Sequence, residues 1–242
     1  MTPPPNATAA TPLVTLSDRQ RAVVYQAASV LLGYPDDGLL EALPVLRRAV
    51  EALPPGVSEP LQRVCDHLAA GAPTALAADY VATFDLRRRC CPYLTYYVYG
   101  DTRKRGMALL AFKHAYRGAG LELADSELPD HLAVLLEFAA ADDPPGAHLA
   151  AADALLREHR TGLELLRLAL VDAGSAYHDA VDAVCRTLPA LPARDRETVL
   201  ALAREGPPAE DVGLDPYREA FAPPEYMGGR PAGAQHTGGA AR

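Results

Sequence analysis

The sequence predicts an all-α protein: a single-domain helical bundle over residues 15–205, with disordered segments at 1–14 and 206–242. Three observations carry that expectation. Apolar residues recur at helical spacing along most of the chain. Strand-like composition is confined to one short stretch, "YLTYYVY", which has no second strand to pair with. Composition changes at both ends, where "MTPPPNATAATP" and "GGRPAGAQHTGGAAR" are too poor in apolar residues to form a core.

The elements follow in chain order. "LSDRQRAVVYQAASVLLGYP" opens with Ser17 as N-cap and Gln20 three residues on, a capping box. Val24, Ala27, Ala28 and Leu31 mark one face, and Gly33 with Pro35 ends the helix. Further helices are expected at 37–52, 59–70, 74–87, 101–118, 130–141, 147–158, 161–173, 175–188 and 195–204. Pro44 predicts a break or kink in the second. "YLTYYVY" is expected to be irregular or helical, and "AADDPPGAH" is an internal break. Beyond Glu205, thirteen residues are Gly or Pro.

The chain has 242 residues, 49% of them apolar, so it can bury a sizeable core. Its net charge of −8 argues against a general polyanion binder. It shows no apolar run of membrane-spanning length, and its first residues lack the basic start and apolar region of a signal peptide. The expected location is cytoplasmic. Four cysteines in such a chain do not form a disulfide framework. Cys65 and Cys185 fall on apolar helical stripes and are expected to pack in the core. Cys90 and Cys91 are adjacent, which suits shared metal ligation poorly, and no second Cys/His pair accompanies them. Two small, half-buried residues at a helix end is the expectation, with no metal.

Tyr80 to Gly106, "YVATFDLRRRCCPYLTYYVYGDTRKRG", stands apart from the rest. Eight basic residues lie between Leu86 and Gly118, from Arg87 to Arg117, opposed only by Asp101. Six of the eleven tyrosines are in or beside the same stretch. Tyrosine and arginine are the residues that interfaces favour. Leu76, Tyr80 and Phe84 are spaced i, i+4, i+8, and Arg87 extends the stripe; from periodicity alone this is a core face ending in a solvated arginine. In "DSELPDHLAVLLEFAA" the helix after Pro129 is apolar nearly all round and should be buried. Asp130 and His131 begin it. From position alone Asp130 is a helix cap and His131 a core histidine.

Catalytic machinery is not legible. The chain has no Gly-rich phosphate loop, no nucleophile elbow and no histidine pair at metal-ligand spacing, so a non-enzyme without cofactor is expected.

The segments "YVATFDLRRRCCPYLTYYVYGDTRKRGMALLAFKHAYRGAGLELADSELPDHLAVLLEFAA" and "LLGYPDD" closely resemble the NarJ family. These are nitrate reductase delta-subunit or molybdenum-cofactor assembly chaperones within the TorD-like maturation proteins. The resemblance covers roughly residues 20–190 and rests on the long motifs Tyr-Val-x-Thr-Phe-Asp-x-Arg and Glu-Leu-Pro-Asp-His-Leu. The doubled cysteine with Pro92 departs from the pattern. The resemblance implies an all-helical TorD-like fold and a non-catalytic chaperone. Such a protein holds the N-terminal segment of the apo nitrate reductase alpha subunit and delays membrane docking until molybdenum cofactor is inserted. Molybdenum cofactor biosynthesis proteins are further implied partners; nucleic acid and membrane insertion are not. The peptide-binding positions it implies are Tyr80, Phe84, Asp85, Arg87, Asp130 and His131. In this reading the tyrosines and arginines form a groove and its rim. The alternative is a helical nucleic-acid-binding regulator using the patch from Arg87 to Arg117, whose binding would collapse steeply with salt.

Overall fold

In the computed structural model the described residues are 13–100, 103–123, 127–142 and 144–205. The expected lead (1–12 of it) and the expected tail at 206–242 lie outside them, as does Asp101. The fold belongs to the compact unit Met1–Ala209. Among the described residues it is all-α, with eleven helices and no strand. These are α1 (Asp18–Leu31), α2 (Asp37–Glu51), α3 (Pro55–Ala70), α4 (Pro73–Tyr80), α5 (Tyr96–Tyr99), α6 (Arg103–Gly118), α7 (Leu132–Ala140), α8 (Ala147–Glu158), α9 (Arg160–Asp172), α10 (His178–Arg186) and α11 (Ala193–Glu205).

The sequence sets the centre of the bundle. Ser17 and Gln20 make the expected capping box on α1. α1 packs along α7, and α10 packs on α1 and α3. α1 buries Val24, Tyr25, Ala28 and Leu31, while α7 buries Leu132, Leu135, Leu136 and Ala139. Small residues let the two approach closely, and Ser29 Oγ donates to the Ala133 carbonyl at 2.7 Å across the contact. The buried Tyr25 hydroxyl lies 2.9 Å from Asp153 Oδ1 and 2.8 Å from Thr187 Oγ1, which joins α1 to α8 and to the end of α10. Arg21 pairs with the same Asp153. Cys65 and Cys185 are fully buried core residues.

Pro44 does not break α2, which runs through it. The proline is on the exposed face, opposite Leu39, Leu43 and Val50, where the backbone carbonyl it leaves unbonded can be hydrated. The expected helix at 74–87 is shorter and ends differently: α4 stops at Tyr80 and continues as a π-helical turn over Val81–Asp85. "YLTYYVY" is the short helix α5 with irregular flanks, apart from an antiparallel bridge between Tyr93 and His131. Its partner is the start of α7. The Leu132 amide donates to the Pro92 carbonyl at 2.9 Å, and the Leu94 amide to the Asp130 carbonyl at 3.1 Å. The buried Gly100, at φ 56°, ends α5 in a conformation that suits glycine.

Candidate peptide-binding site

The π-turn after α4 carries the first part of the site. Its extra residue closes the Leu86 amide on the Val81 carbonyl at 3.0 Å, five residues back, and the helix ends there. Phe84 points into the protein and is 8% exposed, while Asp85 and Leu86 face solvent. Tyr80 is half-buried, its ring 4.8 Å from that of Phe84, and its hydroxyl donates to the Leu32 carbonyl at 3.2 Å. Burial pushes the Tyr80 phenol up to about 12, with Asp85 and Tyr93 adding to it, so it stays a neutral donor.

Two rings the sequence did not single out complete the group. Tyr177, fully buried just before α10, meets Phe84 at 5.1 Å and Tyr80 at 5.8 Å, edge to face. Tyr34, after α1, meets Tyr80 edge-on at 5.4 Å and is 51% exposed. The four rings form a continuous aromatic wall from core to surface. His67 of α3 approaches Tyr177 at 6.1 Å from behind, and its Nε2 is 3.7 Å from Asp79. Tyr34 was readable only as part of "LLGYPDD", and Tyr177 belongs to no motif. Its place in the wall comes from α10 packing beside α1 and α3.

Asp130 and His131 form a second group. Asp130 does not cap α7: the N-cap position is His131, with no side-chain cap bond. The fully buried Asp130 carboxylate instead accepts from the Thr95 amide at 3.2 Å and the Thr95 hydroxyl at 2.5 Å. Arg105 completes this network. Its Nε donates to Thr95 Oγ1 at 3.2 Å, and its guanidinium lies 3.6 Å from Asp130. The same guanidinium sits over the rings of Tyr93 at 5.5 Å and Tyr96 at 5.9 Å. Asp130 therefore ties the loop before α5, the first turn of α6 and the entry to α7 at one point.

His131 is partly exposed rather than a satisfied core histidine. Its ring meets Tyr93 edge-on at 5.2 Å, and its buried Nδ1 has no hydrogen-bond partner. Burial lowers its pKa, opposed by the Asp130 and Glu127 charges. The structure thus pairs Tyr80 with Phe84 and Asp130 with His131, each pair in its own contact group. Tyr93 is the electrostatic neighbour of both, since its phenol feels Asp130 and Asp85, and Tyr80 in turn feels Tyr93. Arg87 is exposed and donates to the Ala173 carbonyl at 3.3 Å, at the end of α9.

The cysteine pair divides. Cys90 is 1% exposed at the end of a 3₁₀ turn (Arg88–Cys90), so it is core rather than half-buried, and burial raises its thiol pKa. Cys91 is half-buried. The Tyr97 hydroxyl bridges the Arg89 and Cys91 carbonyls at 2.8 and 2.9 Å and fixes this turn. Among the described residues no group of three or more His, Cys, Asp or Glu could hold a metal, and no helix is long and apolar enough to cross a membrane.

Comparison with known proteins adds the following. The family described as nitrate reductase delta subunit matches residues 50–182. Nitrate reductase-like protein NarX of Mycobacterium tuberculosis is 41% identical over 165 residues, covering 68% of this chain and 24% of NarX. The probable nitrate reductase molybdenum cofactor assembly chaperone NarJ of Bacillus subtilis is 29% identical over 181 residues, 74% of this chain and 96% of its own length. The nitrate reductase molybdenum cofactor assembly chaperone NarJ of Escherichia coli is 34% identical over 115 residues, 46% and 49% of the two chains. The chain therefore spans about a quarter of NarX and about half of the Escherichia coli NarJ.

Proposed function

The chain belongs to the nitrate reductase delta subunit family, and from that premise we propose that it is a non-catalytic assembly chaperone for a nitrate reductase. It binds the N-terminal segment of the apo catalytic subunit in the cytoplasm and keeps that subunit competent for molybdenum cofactor insertion before membrane docking. Two relatives carry the name of nitrate reductase molybdenum cofactor assembly chaperone, one of them matched over nearly its whole length. Contact with cofactor-biosynthesis proteins during insertion fits the same role.

The observation that carries the binding mode is the aromatic wall from Tyr177 through Phe84 and Tyr80 to the half-exposed Tyr34. An amphipathic peptide helix gains most from rigid aromatic anchors that keep one edge at the surface. Leu86, 74% exposed, and the charged side chains of Asp85 and Arg87 supply an apolar and polar rim. His131, with Tyr93 over it, extends the surface towards α7. The test is a pull-down of the tagged protein from cells of its source organism growing on nitrate without oxygen. Recovery of the catalytic subunit of a nitrate reductase, lacking its cofactor, is the expected result. Recovery of nucleic acid in its place would return the basic-patch alternative.

A further inference from the structure

We propose that the outer face of α6 is a second docking surface, for an acidic amphipathic helix of a partner protein. α6 has two faces. Arg105, Leu109, Phe112 and Tyr116 recur at i, i+4, i+7 and i+11; Phe112 and Tyr116 are buried, and Arg105 and Leu109 are partly buried. Phe112 stacks on His159 at 4.9 Å, and Tyr116 packs on Phe138 at 4.6 Å while donating to the Pro129 carbonyl at 2.6 Å. The opposite stripe, Arg103, Met107, Leu110, His114 and Arg117, has the same spacing and is exposed throughout. Met107 is 71% exposed and Leu110 42%, and neither belongs to the buried core of the bundle.

The chemistry of this face selects the partner. α6 contains five Lys and Arg residues and no Asp or Glu. Three of the five, Arg103, Lys104 and Arg105, occupy the first turn, where the helix dipole favours anions and cations are unfavourable. Arg105 is used inward, while Lys104 is exposed. Arg88, from a different part of the chain, adds its charge nearby, over the Tyr96 ring that Arg105 also covers, at 6.0 Å. The surface is thus cationic at both ends of α6, with an apolar pair one turn apart between them. Phosphate recognition has no use for Met107 and Leu110, and the chain's net charge of −8 opposes an extended polyanion. An anionic membrane takes a broad apolar face, whereas the broad apolar face of α6 is the one already buried. A helix carrying Glu or Asp around a short Leu or Phe stripe matches both the charge and the apolar spacing.

The probe is a synthetic helical peptide of about five turns, with glutamates flanking one leucine/phenylalanine stripe. Its control is the same composition scrambled. Binding is read by fluorescence anisotropy on the full chain, with circular dichroism confirming that each variant is folded. The patterned peptide should bind at least about tenfold tighter than the scrambled one. Met107→Glu with Leu110→Glu, or Lys104→Glu with Arg117→Glu, should each weaken it by about tenfold or more. Titration of the client peptide described above should be unchanged in both variants, which separates this surface from the aromatic wall. Equal binding of the two peptides, undetectable binding of the patterned one, or wild-type affinity in the variants would overturn the proposal. Tighter binding to duplex DNA or to phosphatidylglycerol vesicles, lost in the same variants, would overturn it in favour of that ligand.

Discussion

Phe84 and Tyr34 belong to one chain of ring contacts, yet they hold different things. Phe84 is 8% exposed and packs on Tyr80 and Tyr177, so Phe84→Ala should cost about 3–5 kcal/mol in chemical denaturation. Tyr34 is 51% exposed and meets the wall edge-on at Tyr80, so Tyr34→Ala should cost about 1 kcal/mol or less. A second residue-level case is Asp130. Removing its carboxylate takes the acceptor from the Thr95 amide and hydroxyl and the opposite charge from Arg105, so Asp130→Ala should destabilise by about 1–3 kcal/mol. Asp130→Asn keeps an acceptor for Thr95 and should lose less; equal losses in the two would mean the charge, not the hydrogen bond, holds the junction. The i, i+4 spacing of Tyr80 and Phe84 was legible in the sequence, because both are on one helical stripe. The partnership of Asp130 with Thr95 was not, since thirty-five residues separate them and a carboxylate ahead of a helix reads first as a cap.

At the scale of elements, helical periodicity located the long helices well, and α8 coincides with its expected span of 147–158. Three features escaped it for physical reasons. Pro44 points to solvent, so α2 tolerates it. The π-turn at Val81–Asp85 differs from an α-turn by one residue, and side-chain pattern hardly registers that. The Tyr93–His131 bridge joins a loop to a helix start, so no alternating partner strand announces it. α9 shows what fixes that loop in place. A Cβ at Gly162 would run into the Leu94 carbonyl, so the helix passes the loop backbone at the closest approach glycine permits. Gly162→Ala should therefore destabilise by about 1–3 kcal/mol despite the better helix propensity of alanine. A thermal midpoint equal to or above wild type would mean that the loop can retreat freely.

For the whole molecule, the fold and the kind of protein were both readable, because long motifs and a buried apolar helix left little freedom. The full extent of the aromatic wall needed the packed bundle. Stability should also depend on pH in a direction set by two imidazoles, the half-buried His131 and the buried His159. His131 and His159 both have pKa values lowered from 6.5, in each case chiefly by burial. His131 faces Asp130, Glu127 and the Tyr93 ring, and His159 stacks on Phe112 with Glu158 and Asp130 as its charged neighbours. The folded state thus binds these protons less readily than the unfolded chain. Their contribution is complete above about pH 6.5 and is lost as pH falls from there towards the folded values. Thermal unfolding at pH 7.5 and 5.5 should show lower stability in acid, with a smaller difference in His159→Gln.

The claim that the aromatic wall receives the client is tested most directly by isothermal titration. The ligand is a synthetic peptide matching the N-terminal segment of the nitrate reductase catalytic subunit from the same organism. Wild type should bind it one to one, and Tyr34→Ala should weaken binding about tenfold while unfolding close to wild type. Tyr80→Ala should weaken it at least as much. Wild-type affinity in folded Tyr34→Ala, Tyr80→Ala and His131→Ala together would contradict the assignment and place the client elsewhere on the protein.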